Sequence, residues 1–172
     1  MKNGYVQVYT GNGKGKTTAA FGLALRAAGA GLKVFIGQFL KQGDYSEIKA
    51  LKKLSKFIAI QQFGSGYFIK KAPEQKDFKK ALNGLSLLET AINSGEYDLV
   101  IMDEVNTAVE LKLLDEKRLV DIIDKRPRHV EIVITGRNAS PRILEIADLI
   151  TEMKEVRHYF QKGVRSRKGI EK

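Results

Sequence analysis

The stretch Tyr5-Val-Gln-Val-Tyr-Thr-Gly-Asn-Gly-Lys-Gly-Lys-Thr17 decides the fold. Its first five residues alternate apolar and polar in the manner of a half-buried strand and then meet glycines. From Thr17 to Ala30 the pattern turns helical, with Phe21, Leu25 and Ala28 expected on one face, and it stops at Gly29-Ala-Gly31. Between strand and helix lies Thr10-Gly-Asn-Gly-Lys-Gly-Lys-Thr17. Closely spaced glycines let consecutive backbone N–H groups turn inward and form an anion-binding nest. The helix N-terminus that follows adds the positive end of its dipole. Lys16 is placed to neutralise phosphate charge, and the Thr17 hydroxyl to ligate magnesium. Against the pattern G-x-x-x-x-G-K-[ST], Gly15, Lys16 and Thr17 match while the first position is Thr10, with Gly11 and Gly13 supplying flexibility one residue later. The competing reading is a glycine turn that caps a helix beside incidental lysines; the flanking strand and helix favour phosphate.

Outward from this loop, short apolar strands alternate with helical patterns. Strands are predicted at Lys33–Phe39, Phe57–Gln61, Asp98–Met102, Val130–Thr135 and, as a last core strand, Asp148–Met153. Helices are predicted over Glu47–Leu54, Glu74–Asn93, Val105–Leu113 and Asp115–Lys125, and Ser140-Pro141 opens another with a cap and a first-turn proline. In Glu74–Asn93 the apolar stripe is Phe78, Leu82, Leu85, Leu88 and Ile92. The expected fold class is α/β: a P-loop NTPase-like (RecA-like) open, mostly parallel sheet flanked by helices. With 172 residues and no internal repeat or linker, residues 1–172 read as a single nucleotide-binding domain, with roughly 159–172 as a basic C-terminal tail.

Composition narrows the chemistry. The chain has no cysteine and only two histidines, His129 and His158. Disulfides, thiolate zinc, iron–sulfur clusters and a cysteine nucleophile are thereby excluded. No apolar run reaches the roughly 18 residues of a membrane span, and the N-terminus has no signal-peptide core, so a soluble cytoplasmic protein is expected. The formal net charge is +10, and it is uneven. Residues 41–81 hold ten Lys against four Asp/Glu, and residues 154–172 hold seven Lys+Arg against two Glu, which points to an anionic partner or to solvated helix faces and a tail.

A second acidic element follows. Asp98-Leu-Val-Ile-Met-Asp-Glu104 is an apolar strand that ends in two carboxylates. In an open parallel sheet the C-terminal strand ends line the ligand crevice. Asp103 or Glu104 is therefore placed to hold magnesium opposite Thr17, or else the pair favours a helix N-terminus for dipole reasons alone. Arg137 ends the strand Ile132-Val-Ile-Thr-Gly-Arg at the same edge, where it would bridge phosphate oxygens or lie on the surface. Arg26, within the first helix, is equally open. His129 reads as a loop residue, and His158 as a structural residue before a cofactor contact.

The wider sequence resembles the P-loop ATP:corrinoid adenosyltransferases. The resemblance rests on Val8 to Gly22 with Leu25-Arg-Ala27 and Gly31, on Gly37-Gln-Phe39 with Lys41, and on Val100-Ile-Met-Asp-Glu104. It continues through Arg126-Pro127, Ile134-Thr-Gly-Arg137, Ala147-Asp148, Thr151-Glu-Met153, Val156-Arg-His158, Gly163 and Gly169-Ile170. These pieces run in order along nearly the whole chain.

The resemblance implies transfer of the 5′-deoxyadenosyl group of ATP to the cobalt of a cob(I) corrinoid, with release of inorganic triphosphate. The nucleophile would then be the corrinoid cobalt, which agrees with a chain offering no cysteine and no nucleophile–histidine pair. It carries over Gly11, Asn12, Gly13, Lys14, Gly15, Lys16, Thr17 and Thr18 as the phosphate cradle, and Thr17 and Glu104 as magnesium ligands. Lys16 and the magnesium would hold the leaving triphosphate, Glu104 acting through that metal; Lys16, Glu104 and Arg137 form the expected catalytic set, and Arg26 is expected to join the nucleotide contacts. The family uses aromatic side chains to keep an axial ligand off cobalt. The matching stretch is Gly64-Ser-Gly-Tyr-Phe-Ile69, which puts Tyr67 and Phe68 toward the corrinoid and has Tyr67 and Ile69 where a Phe and a Trp are expected. The chain begins almost at its first strand, so a segment from elsewhere, or a second subunit, would cover the corrinoid, or the site would be more open. A homodimer and an acidic flavodoxin-like reductase, facing the basic segments, complete the expected partners; no stable nucleic-acid partner and no membrane are expected. The alternative is a P-loop ATPase acting on nucleic acid, in which the second carboxylate polarises an attacking water.

Overall fold

The computed structural model describes residues 2–66 and 72–171. Strands β1 (Val6–Thr10), β2 (Val34–Phe39), β3 (Ile58–Phe63), β4 (Leu99–Asp103), β5 (Glu131–Thr135) and β6 (Leu149–Glu152) form one sheet in the order β3-β2-β4-β5-β1-β6. Every pairing is parallel. The helices are α1 (Lys16–Gly29), α2 (Ser46–Lys52), α3 (Gln75–Asn93), α4 (Val105–Glu110), α5 (Glu116–Asp124) and α6 (Pro141–Glu145), followed by a 3-10 turn at Tyr159–Lys162. This is the open α/β sheet of a P-loop NTPase-like fold. Strand β5 lies between the loop-bearing β1 and the carboxylate-bearing β4, so the end of β5 separates the two halves of the crevice.

Period-two alternation explains why the inner strands read as continuous apolar runs. In β4, Leu99 and Ile101 face the layer with α1 and α2, while Val100 and Met102 face the layer with α3, α4 and α5. All four are buried. Polar residues then mark the strand ends: Gln38, Asp103 and Thr135 are fully buried at or near the C-terminal ends of β2, β4 and β5.

Three expectations change. Helix α1 buries Ala20, Phe21, Ala24, Ala27 and Ala28, whereas Leu25 is 56% exposed. Small residues bring the helix axis close to the sheet, and position 25 sits about 100° around from Ala24, at the middle of the buried arc. The last strand is not a core strand: β6 is an edge with β1 as its one neighbour, and all four of its residues are exposed. In α3 the inner stripe is Asp77, Ala81, Gly84, Leu85, Leu88, Ala91 and Ile92, which leaves Phe78 and Leu82 outside. The Ser140 cap follows expectation, accepting from Ile143 N–H ahead of Pro141. The structure adds a reciprocal box between Glu74 and Asp77 at the start of α3.

Candidate active site at the C-terminal edge of the sheet

The glycine loop turns out of β1 and is covered by the chain leaving β6. The Gly13 N–H donates to Met153 O at 2.6 Å. A Cβ on Gly11 would lie 2.4 Å from that same carbonyl oxygen, and one on Gly13 2.7 Å from it, so only glycine fits beneath the strap. Gly11 and Gly15 also adopt φ of +93° and +120°. Lys16 opens α1, is 7% exposed, and folds its ammonium back onto Gly11 O at 2.6 Å and Gly13 O at 2.8 Å. Burial pushes its pKa down, and the neighbouring positive charges of Arg137 and Lys41 add to that while Glu104 opposes it. Thr17 is half-buried, and Asn12, Lys14 and Thr18 point outward.

Facing the loop is a buried carboxylate with every acceptor position in use. Asp103 Oδ1 accepts from the hydroxyls of Thr17 at 2.8 Å and Thr135 at 2.7 Å. Asp103 Oδ2 accepts from Gln38 Nε2 at 2.9 Å and Lys41 Nζ at 3.2 Å. Gln38 is held in turn by Gln62 Nε2, at 2.7 Å from its amide oxygen. The same ammonium of Lys41 donates to Thr17 Oγ1 at 2.9 Å and reaches Glu104 Oε1 at 3.4 Å. Burial works against this charge, but the Asp103 and Glu104 carboxylates outweigh it and hold the Lys41 pKa above its ordinary value. Glu104 adopts φ +62°, a left-handed conformation uncommon outside glycine. Its N–H donates to Thr135 Oγ1 at 2.9 Å, and its Oε2 accepts from Thr107 at 2.9 Å. Strain of this kind persists where surrounding contacts over-determine it, and here they turn the carboxylate back toward the loop.

The other expected site residues divide. Arg137 is exposed at the end of β5, donates its backbone N–H to Thr107 Oγ1 at 3.3 Å, and its charge is felt at Lys16. Arg26 is exposed in the last turn of α1, ten residues or about 15 Å along the helix from Lys16, so the structure does not bring it to the loop. Tyr67 and Phe68 lie outside the described residues. His158 caps the 3-10 turn, its Nδ1 accepting from Phe160 N–H at 3.0 Å. Lys14 reaches the tail: its ammonium lies 3.0 Å from Tyr159 Oη, 3.2 Å from Ile170 O and 3.0 Å from Glu171 Oε1. Among the described residues no group of three or more histidines and carboxylates is arranged to hold a metal. The oxygens gathered here are the Thr17 hydroxyl and the Asp103 and Glu104 carboxylates, donors of the kind a hard cation takes.

A glycine-rich phosphate-type loop facing such a buried carboxylate is common to many nucleotide-binding proteins, so the match along the chain decides between them. The sequence profile of ATP:corrinoid adenosyltransferase BtuR/CobO/CobP matches residues 2–171. The chain belongs to this family. It is 33% identical over 171 residues to the corrinoid adenosyltransferase of Pseudomonas aeruginosa, covering 99% of this chain and 84% of that protein. It is 32% identical over 170 residues to the corrinoid adenosyltransferase of Escherichia coli K12, covering 99% and 86%. A third relative, the corrinoid adenosyltransferase CobA of Salmonella typhimurium, is 31% identical over 170 residues, again covering 99% and 86%.

Several site residues carry no role that the sequence alone assigns. Gln38 and Thr135 are legible afterwards as polar residues closing apolar parallel strands, the same signal that marked Asp103. Gln38, Lys41, Thr135 and Met153 all stand in the stretches that carry the family resemblance, but the resemblance gives none of them a role. What Met153 and Glu171 do has no local signal, because it depends on the chain returning to the loop from more than 130 residues away.

Proposed function

We propose that the protein transfers the 5′-deoxyadenosyl group of ATP to the cobalt of a reduced cob(I) corrinoid. The cobalt electron pair forms the Co–C5′ bond, the C5′–O bond breaks, and the electrons leave on inorganic triphosphate. The observation that carries this reading is the meeting of the Lys16 loop with the Thr17–Asp103 pair in a chain matched end to end by the family. No protein nucleophile is needed, so the residues act by positioning and by charge. The N–H groups of the Gly11–Thr17 loop would cradle the triphosphate, apart from that of Gly13, which is held by Met153 O. Lys16, released from Gly11 O and Gly13 O, meets the charge that grows on the leaving group, and Arg137 approaches from the end of β5. Thr17, Asp103 and Glu104 would hold magnesium, which when bound neutralises part of that charge. The position is one a cation fits, since the Lys41 ammonium already lies within 3.4 Å of an oxygen from each of the three.

The test is product analysis. ATP, magnesium and chemically reduced cobalamin should give a light-sensitive adenosylated corrinoid and triphosphate. Recovery of ADP and phosphate alone would overturn the reading in favour of hydrolysis. We further propose a cytoplasmic homodimer served by an acidic, flavodoxin-like electron donor. The basic segments 41–81 and 154–172 suit such a donor, and reduction of the bound corrinoid should then slow as salt rises.

A further inference from the structure

Lys41 is a partly buried cation, its side chain 30% exposed, whose position the reaction leaves unexplained. Its ammonium has three donors, and three oxygens surround it: Thr17 Oγ1 at 2.9 Å, Asp103 Oδ2 at 3.2 Å and Glu104 Oε1 at 3.4 Å. These are the oxygens assigned above to magnesium. We propose that Lys41 is a resident counter-ion that fills the divalent-cation position while nucleotide is absent, so that metal enters only together with the triphosphate. The inference rests on reading Thr17, Asp103 and Glu104 as the metal ligands.

Two observations argue for a built arrangement. The first is the backbone that aims the side chain. Leu40 adopts φ +60°, an outlier for a bulky residue, and Lys41 N–H donates to Phe39 O at 2.7 Å across the turn. The exit of β3 clamps that turn: Gly64 N–H donates to Lys41 O at 3.0 Å, and a Cβ on Gly64 would lie 2.4 Å from the Lys41 backbone. Strand β2 thus delivers Lys41 just after Gln38, which holds the carboxylate that Lys41 neutralises. The second is charge. Lys16 and Lys41 balance Asp103 and Glu104, and Arg137 adds a further positive charge that is felt at Lys16. A bare divalent ion would meet no excess of negative charge there, with an ammonium already in its place. A metal–nucleotide complex brings phosphate oxygens, which give the displaced Lys41 a new acceptor within the same crevice. Without Lys41, two carboxylates face one lysine, and a bare divalent ion becomes a favourable ligand.

The experiment is a Mn2+ titration of the full chain followed by electron paramagnetic resonance of the free ion, with and without ATP. Wild type should bind Mn2+ only with ATP present. Lys41→Met should bind Mn2+ without nucleotide, roughly tenfold or more tightly than wild type, as expected for removing a like charge from a partly buried site. Lys41→Arg should keep Mn2+ out, and Asp103→Asn added to Lys41→Met should abolish the new binding. Should Lys41→Met be poorly folded alone, Mn2+ should raise its Tm while leaving that of wild type unchanged. Equal Mn2+ affinity of wild type and Lys41→Met without nucleotide, with both binding Mn2+ and ATP together, overturns the role of Lys41 and spares the metal site. Absence of Mn2+ binding in every variant, even with ATP, removes the metal site and the proposal with it.

Discussion

Lys41 and Lys14 each carry their charge to a carboxylate distant in sequence, yet the two contacts differ in every physical respect. Lys41 meets Asp103, whose side chain is fully buried and which also accepts from Thr17, Thr135 and Gln38. Lys14 meets Glu171 on a solvent-facing tail, beside the Tyr159 hydroxyl and the Arg167 guanidinium. In the first case each donor satisfies an acceptor that water cannot reach, so removing any one leaves the desolvation cost of the others uncovered. In the second, water and salt compete for the Lys14 ammonium, which is 42% exposed, while the Glu171 side chain is 15% exposed. The inner cluster is therefore organised before ligand arrives, while the outer contact can open cheaply. With Lys16 folded onto its own loop, all three of these lysines are answered by oxygens of the protein itself.

The largest effect is expected at the centre of the inner cluster. Asp103→Ala strands Lys41, Gln38 and two threonine hydroxyls, and should cost about 3–5 kcal/mol of stability, the range for removing one partner of a buried charge pair. Urea denaturation measures it. A loss below about 1 kcal/mol would erase the distinction between the buried and the solvated pair. Lys16→Ala should act on rate. Loss of a preorganised charge at the leaving group should lower kcat about 10²–10³-fold. Burial already disfavours the Lys16 charge, so the Tm should hold or rise slightly. Near-normal turnover would mean that the glycine loop is not the reacting site.

The parts of this contrast that were legible in sequence are those encoded locally. The loop, its strand and its helix follow from glycine spacing and periodicity, and Asp103–Glu104 from a carboxylate pair closing an apolar strand. What escaped depends on where distant segments return. Leu25 shares the apolar period of α1, but its exposure is set by how closely four alanines let the helix approach the sheet. The apolar run Leu149-Ile150 reads as core, but its place at the sheet edge is a matter of strand order. The Lys41 arrangement needs a left-handed leucine and the exit of β3, and neither has a sequence period.

An intermediate effect is expected along the amide chain behind Asp103. Gln38→Leu leaves one oxygen of a buried carboxylate short of a donor, and Gln62→Leu frees the Gln38 amide to rotate. Each should cost about 1–2 kcal/mol in denaturation, with Gln38→Leu the larger because its partner is charged. Equal losses would mean that Gln62 does more than orient Gln38.

The smallest effect, and the one most sensitive to pH, is expected at the tail. Hydrogen bonds from the Arg167 guanidinium, then the Tyr159 hydroxyl, then the Arg167 backbone N–H hold the Glu171 carboxyl well below the usual carboxylate range. A depressed folded-state pKa contributes stability that is fully present above the unfolded value, about 4.3 for glutamate, and is lost as pH falls through the folded one. The contact should therefore be intact at pH 5 and weaken only in stronger acid. The Glu171 side-chain carbon should titrate by NMR well below the other glutamates, and a midpoint near about 4.3 would mean that the contact is not formed in solution. Glu171→Gln should lower the Tm slightly at neutral pH, because the favourable contacts of the carboxylate are lost while their partners Lys14 and Arg167 stay exposed. It should tighten ATP binding modestly, because Lys14 no longer has to leave a carboxylate to reach phosphate. Weaker ATP binding in that variant would mean that the tail supports the nucleotide site and does not compete with it.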